Sequence, residues 1–184
     1  NGAHSVTISP DNKNIYAVAY DSDSIVHWDR NTTTGALTNQ VNLKNSTNLD
    51  GVISVTVSPD GKHVYAAAFG SDSIVHWDRD ATTGALTNQV NLKNSTNLDG
   101  ARSVTVSPDG KNVYAVAYIS RSIVHWDRDA TTGALTNQVN LIDSTNLNGA
   151  GSVTVSPDGK HVYAATYNSD SIVHWDRDAT TGAL

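Results

Sequence analysis

Four histidines recur in one local context, because each is followed directly by tryptophan and aspartate. The histidines are His27, His76, His125 and His174. Neutral imidazole binds zinc at about 2 Å, so a set of histidines raises the possibility of a metal centre. The four residues are, however, separated by a constant 49 residues, which places each in a different copy of one repeated unit.

The repeated units differ from one another at very few places, and those places are candidates for binding. Only two positions carry a different residue in every copy, and a third position, next to the second, changes once to arginine. We interpret this set as a ligand-binding surface, with drift at exposed loop tips as the alternative. The candidates are His4, Asp21, Asp23, Ile53, Asp72, Arg102, Ile119, Arg121, Asn168 and Asp170.

A carboxylate-rich segment, Asp78-Arg79-Asp80-Ala81-Thr82-Thr83-Gly84, occurs in nearly the same form in each copy. Its opening resembles a calcium-binding loop, but its glycine lies one position late and the closing glutamate is absent. We therefore interpret the segment as a hairpin in which short side chains cap the backbone, and we expect no metal and no cofactor.

The chain that carries these residues consists of a 49-residue sequence repeated almost four times. Ser5, Ser54, Ser103 and Ser152 open equivalent stretches, so the copies span 1–49, 50–98, 99–147 and 148–184. The last copy stops before its fourth quarter. A repeat of this length is typical of a propeller, a solenoid or an array. We treat 1–184 as a single unit, a whole propeller or half of one.

Each copy contains four short stretches with strand character. In the second copy these lie near 54–58, 63–69, 73–78 and 86–92, separated by turns rich in Gly, Pro, Asp and Ser. The second stretch is apolar on both faces, which predicts that both faces are covered. Four antiparallel strands per repeat are typical of a propeller blade, so the sequence predicts an all-β propeller with about four blades per chain.

Blade geometry argues against a histidine metal site. The histidines fall in the third strand from the axis, and strands lie about 4.8 Å apart, so equivalent imidazoles should be far from one another. We expect them to be structural and hydrogen-bonded between blades, for example to Ser or Thr of the first strand. The adjacent tryptophans are expected to fill the core between blades, with an aromatic ligand cage as the alternative. They are Trp28, Trp77, Trp126 and Trp175.

The run SPDGKHVYAAAFGSDSIVHWDRDATTGALT resembles the seven-bladed lactonase-like propellers and the related YVTN repeats. The elements that carry this resemblance are the SPDG turn at 58–61, the Val64-Tyr65 pair and the hairpin at 78–86. The resemblance implies a propeller fold and, as one alternative, a lactone hydrolase. In that family acidic, Arg and His side chains from different blades converge on one face. The chain contains no Glu, and its copies hardly differ, so no catalytic residue can be assigned.

We therefore expect a non-enzymatic scaffold or recognition module that binds a protein or a glycan. A lactonase-like hydrolase is one alternative, and an amplified or engineered propeller without a ligand is another. The two-copy alternation of Asn14, His63, Asn112 and His161 suggests an even number of blades. This pattern favours self-association of two chains into an eight-bladed homodimer, although a longer array and a four-bladed ring remain open.

Composition excludes several other classes of partner. The net charge is −6 with no basic run, which excludes a nucleic-acid partner on electrostatic grounds. There is no long apolar stretch, so we expect no membrane insertion. The absence of cysteine excludes disulfides and a thiol nucleophile.

Overall fold

The computed structural model describes residues 2–184, which form fifteen strands in four antiparallel sheets. The first sheet contains β1 (Ala3–Ile8), β2 (Asn14–Ala19), β3 (Ser24–Arg30) and β4 (Leu37–Lys44). The second contains β5 (Val52–Val57), β6 (His63–Ala68), β7 (Ser73–Arg79) and β8 (Leu86–Lys93). The third contains β9 (Ala101–Val106), β10 (Asn112–Ala117), β11 (Ser122–Arg128) and β12 (Leu135–Ile142). The fourth has three strands, β13 (Ala150–Val155), β14 (His161–Thr166) and β15 (Ser171–Asp176).

Each sheet is a simple meander in which every strand pairs with the next one in the chain. The prediction of an all-β propeller of four-stranded blades is confirmed.

The turns between strands contain residues that adopt a positive φ or preset the backbone for a turn. Between β5 and β6, the backbone N–H of Gly61 donates to Ser58 O at 2.8 Å, and Gly61 has a φ of 72°, which few other residues adopt at low cost. The described part of the chain has no helix that could cross a membrane.

The sheets stand side by side around an axis, with the first strand of each innermost. Strand β5 packs against β1 and β9, and β9 also packs against β13. Three apolar cores lie between neighbouring sheets, one in each gap. Strand β6 is buried at every residue, because a neighbouring sheet covers each of its faces. The outermost strand β8 is mostly exposed, as the predicted alternation of its residues indicates.

Every core has the same two sides. The sheet that comes first contributes a tyrosine and two aliphatic residues, such as Tyr16, Val18 and Ile25. The sheet that follows contributes valines, alanines and a tryptophan, for example Val55 and Trp77. We call these the tyrosine face and the valine face. Burial of their apolar area, at roughly 25 cal/mol per Å², supplies most of the free energy that holds the sheets together.

A buried arginine ties each pair of neighbouring sheets together. Arg79 in β7 donates from Nε to the Tyr16 hydroxyl at 2.8 Å and from Nη2 to the Asp11 carboxylate at 2.9 Å, both in the preceding sheet. The Tyr16 hydroxyl in turn donates to Gly84 O at 2.7 Å. Arg128 and Arg177 make the same contacts one and two sheets further on.

The buried polar groups of this network have shifted pKa values. Burial raises the pKa of Tyr16 to about 12, which the positive charge of Arg79 only partly offsets. Partial burial opposes ionisation of Asp11, but hydrogen bonds from Ser9, Arg79 and Lys13 outweigh it and lower the pKa to about 2. At neutral pH the network is therefore a neutral phenol and a paired carboxylate around one guanidinium.

Candidate functional site

A β-bulge lies near the start of each innermost strand, at the position that differs in every copy. In the first sheet the pairing skips from Ala3–Ala19 to Ser5–Val18, which leaves His4 without an opposite residue. The same irregularity occurs in the other three sheets. A bulge turns its extra residue away from the regular face of the sheet. The bulged residues are His4, Ile53, Arg102 and Gly151.

These four residues meet around one cavity at the axis, with a volume of about 310 Å³. The remaining lining consists of the serine that follows each bulge, so all four innermost strands contribute. The serines are Ser5, Ser54, Ser103 and Ser152. The site therefore combines four equivalent hydroxyls with side chains that differ from sheet to sheet.

The guanidinium of Arg102 is held over an aromatic ring. Its Cζ lies 5.1 Å from the centre of the Tyr118 ring, which fits a cation–π contact. A Cβ built on Gly151 would lie 3.8 Å from Arg102 Nε, so the arginine extends towards the fourth innermost strand. The Arg102 side chain thus lies within van der Waals distance of the fourth innermost strand at the edge of the cavity.

His4 is exposed and packs against Tyr20, with 5.5 Å between the ring centres. Tyr20 and Tyr118 occupy the same position at the ends of β2 and β10, and Phe69 occupies it after β6. The rings of Phe69 and Tyr118 are 6.4 Å apart. An aromatic row therefore flanks the cavity and supports its two basic side chains.

The serines also link the innermost strands to one another. Ser5 Oγ accepts a hydrogen bond from the backbone N–H of Val55 at 3.3 Å, and Ser54 and Ser103 do the same for Val104 and Val153. Accepting this bond leaves the hydroxyl hydrogen free to donate towards the axis.

The rest of the predicted binding residues lie outside the cavity, on the same rim. The carboxylate of Asp23 accepts from the Gly51 backbone N–H at 3.2 Å, and Asp72 accepts from Gly100 at 3.1 Å, so both residues join neighbouring sheets. The other members lie at the turns between the second and third strands. They are Asp21, Ile119, Arg121, Asn168 and Asp170. The structure thus brings together His4, Ile53 and Arg102 from the predicted set, and it separates the others from them.

The recurrent histidines are buried in three of the four sheets, beneath the tyrosine of the adjacent strand. The rings of Tyr65 and His76 are 5.7 Å apart, and Nδ1 of His76 has no hydrogen-bond partner. The expected bond to Ser or Thr of a neighbouring blade is not formed at Nδ1, because His76 lies opposite Tyr65 within one sheet and faces its ring. Burial lowers the pKa of this imidazole. His27 and His125 have the same surroundings, whereas His174 is exposed.

The tryptophans Trp77 and Trp126 lie in the cores between sheets. Trp175 packs at the edge of the third core, and Trp28 lies on the uncovered side of the first sheet.

In the hairpin after β7, Asp80 accepts hydrogen bonds from the backbone N–H groups of Thr82 and Thr83 at 2.8 and 2.7 Å, so its side chain caps the backbone. Among residues 2–184, no three His, Asp, Glu or Cys side chains form a cluster that could hold a metal ion.

A larger cavity, about 440 Å³, lies between the outer strands of the first two sheets. Its lining includes Trp77, Leu86 and the Asn and Gln side chains of β8, which recur in other copies. The axial cavity is smaller, but all four sheets line it, and its lining includes the bulged residue of each sheet. We therefore take the axial cavity as the candidate site.

Comparison with known proteins identifies the family. The model of the family described as "Lactonase, 7-bladed beta-propeller" matches residues 51–184, well over half of the chain. The chain belongs to this lactonase family. None of the curated proteins matches its sequence.

Several solved structures have the same fold. A candidate 6-phosphogluconolactonase from Bacteroides uniformis is 25% identical, with a TM-score of 0.79 over 99% of this chain and 52% of its own. A protein from Lactobacillus plantarum is also 25% identical, with a TM-score of 0.83 over 99% and 53% of the two chains. The periplasmic gluconolactonase of Pseudomonas aeruginosa is 20% identical, with a TM-score of 0.80 over 98% and 51%, and shows the fold alone. The chain spans about half the length of these neighbours.

These findings correct one prediction. The expectation of a non-enzymatic scaffold or recognition module is wrong, since the chain is a member of a family of lactonases. The near-identity of the repeats argued against an asymmetric site. That argument fails because one of the two positions that differ in every copy is the bulged residue, and the fold gathers these four residues at one cavity.

Proposed function

We propose that the axial cavity hydrolyses a sugar lactone, with His4 and Arg102 as its reactive groups. The observation that carries this proposal is that these two side chains converge on the axial cavity of a lactonase-family propeller. A histidine that acts as a base and a cation beside it are the two groups that hydrolysis of a cyclic ester needs.

The reaction is an acyl transfer to water. His4 accepts a proton from a water molecule as the water oxygen attacks the lactone carbonyl carbon. Arg102 and the serine hydroxyls stabilise the negative charge that develops on the carbonyl oxygen. The bond from the carbonyl carbon to the ring oxygen then breaks, and the ring oxygen takes the proton back from the His4 imidazolium. The product is an open-chain hydroxy acid.

The surroundings of the cavity suit a sugar ring. Hydroxyls from Ser5, Ser54 and Ser103 can donate to its oxygen atoms, and the rings of Tyr20 and Tyr118 support the two basic side chains beside it. A negatively charged substituent such as a phosphate would also find a partner in the guanidinium of Arg102. This places gluconolactone and its 6-phosphate among the first substrates to test.

The proposal is tested by following acid release from each lactone in a pH-stat, after subtraction of the uncatalysed rate. We expect His4→Asn to reduce kcat by about 100-fold or more, because general-base catalysis contributes on the order of 10²–10⁴. Arg102→Ala should reduce kcat/KM for both lactones and more strongly for the phosphorylated one.

Arg121→Asp is the matched control for the loss of Arg102. Arg121 lies on the same rim and is exposed, but it does not line the cavity, and the equivalent residue is Asp in every other copy. The Arg121→Asp variant should hydrolyse both lactones at the wild-type rate. Hydrolysis no faster than the uncatalysed rate, or wild-type activity in His4→Asn, would show that the proposal is wrong.

A further inference from the structure

Each interface between neighbouring sheets contains one buried side chain whose type changes along the chain. It lies at the start of the second strand and is Asn14 in the first sheet, His63 in the second and Asn112 in the third. All three side chains belong to residues that are at most 2% exposed. Each lies beside the buried arginine of the following sheet, whose other partners are a tyrosine and an aspartate at every interface.

An amide oxygen accepts from the arginine at two of the three interfaces. Arg79 Nη2 donates to Asn14 Oδ1 at 2.6 Å, between the first and second sheets. Arg177 Nη2 donates to Asn112 Oδ1 at 2.7 Å, between the third and fourth. The side chain of asparagine has no titratable group, so these two acceptors do not depend on pH.

A ring nitrogen takes the place of this acceptor between the second and third sheets. Arg128 Nη2 lies 2.6 Å from His63 Nδ1. Because a guanidinium can only donate, Nδ1 carries the lone pair and the ring proton is on Nε2, which lies 3.6 Å from Asp78 Oδ1. The contact with Arg128 therefore requires a neutral imidazole.

Protonation of this ring would remove the acceptor and leave two cations in contact. The titratable and charged groups around the ring come from its own strand and turn, from the adjacent strand and from the next sheet. They are Asp60, Lys62, Tyr65, His76, Asp78 and Arg128. Burial and, next, the charge of Arg128 oppose protonation and outweigh the attraction of the two carboxylates, so the pKa of His63 lies below its ordinary value of 6.5.

We propose that His63 is an acid-sensitive switch in the interface between the second and third sheets. When the ring takes up a proton, Arg128 loses an acceptor and is repelled, so this interface weakens while the other two keep their amide acceptors. His4 lies in the first sheet and Arg102 in the third, so weakening this interface also loosens the axial cavity between them. The inference does not depend on lactone hydrolysis, since it rests on the interface alone.

Replacement of His63 by the residue found at the other two interfaces tests the switch. His63→Asn keeps an acceptor for Arg128 but cannot bind a proton. The folded wild type holds the proton of His63 less tightly than the unfolded chain does, so its stability is lost as the pH falls below about 6.5. Between about pH 7 and pH 5, we expect the unfolding equilibrium constant of the wild type to rise about threefold or more beyond that of His63→Asn, as measured by urea denaturation.

The converse variant, Asn112→His, should install the switch between the third and fourth sheets. The site has room for the ring, because Gly182 packs on Asn112 as Gly133 packs on His63. We expect a steeper loss of stability below about pH 6.5 than in the wild type. Gln138→His is the matched control, since it adds a histidine at an exposed position of β12 and should leave the pH dependence unchanged.

Hydrogen exchange locates the weakened interface. Wild type and His63→Asn are compared at the same pH, about 5, so that intrinsic exchange rates cancel. We expect faster exchange in wild-type β9, which lies at the second interface, and little difference in β5 or β13. The same pH dependence in wild type and His63→Asn, no added dependence in a folded Asn112→His, or an equal difference in all three strands would each overturn the proposal.

Discussion

At the scale of single residues, the protein depends on a small number of arginines with several partners each. The side chain of Arg79 is 1% exposed, and it donates to a phenol, a carbonyl, a carboxylate and an amide oxygen. Such a cation is stable in the interior only because each of its three nitrogen atoms donates to an acceptor. The same residue type at position 30 is partly exposed and makes one bond, so local sequence does not determine its role.

Replacing Arg79 should therefore be costly. We expect Arg79→Ala to lower the free energy of unfolding by on the order of 3 kcal/mol, because Asp11 and the Tyr16 hydroxyl lose their partner. Urea denaturation followed by tryptophan fluorescence measures the change. Lys62→Ala, at an exposed position, is the control and should cost less than about 0.5 kcal/mol. Equal effects of the two substitutions would show that the buried network contributes little.

At the scale of elements, each pair of second and third strands stacks a tyrosine on a histidine. The register places Tyr65 opposite His76, and the covering sheet then excludes water from both rings. Burial favours the neutral imidazole in the folded state, so the pKa of His76 falls below its ordinary value of 6.5. The unfolded chain binds the proton more readily, and stability is lost as the pH falls below about 6.5.

Replacement of this histidine should reduce that pH dependence. We expect His76→Phe to flatten the decline in stability between about pH 7 and pH 5, since Phe keeps the ring contact but cannot bind a proton. Urea denaturation at several pH values measures the slope. Thr87→Ala, at an exposed position without a titratable side chain, is the control and should leave the slope unchanged. An unaltered slope in His76→Phe would mean that the acid sensitivity arises elsewhere.

At the scale of the whole molecule, the four sheets of residues 2–184 form a row in which the main contacts join neighbouring sheets. The stability of such an array is approximately a sum of terms for each sheet and each interface. The second and third sheets have two interfaces each, whereas the first and fourth have one. The terminal sheets should therefore open more easily than the inner ones.

Hydrogen exchange can test this gradient with almost no influence of sequence, because β3, β7 and β11 all read SIVHWDR. We expect slow and similar exchange in β7 and β11, and faster exchange in β3, whose second face is uncovered in a single chain. Mass spectrometry of peptides from the three strands measures the rates. Equal protection in all three strands would contradict a purely nearest-neighbour row.

Much of the fold could be predicted from the sequence. The repeat length, the turn residues and the apolar pattern are local properties, so they indicated four strands per copy to within a few residues. The same comparison of copies identified His4, Ile53 and Arg102 as candidates. The comparison could not show that these residues lie at β-bulges, since a bulge depends on the pairing of two strands. It also did not indicate that the aromatic rings of Tyr20 and Tyr118 lie beside the site.

The sequence by itself determined the repeating unit and its strands, because short-range preferences act within a few residues of one another. Only the tertiary structure decided what each copy of the same residue does. Arg30 and Arg79, or His76 and His174, are equivalent in sequence, and they differ because one has a sheet packed against it and the other does not. Packing around an axis also brings residues 49 and 98 positions apart to one cavity, which no local pattern could reveal.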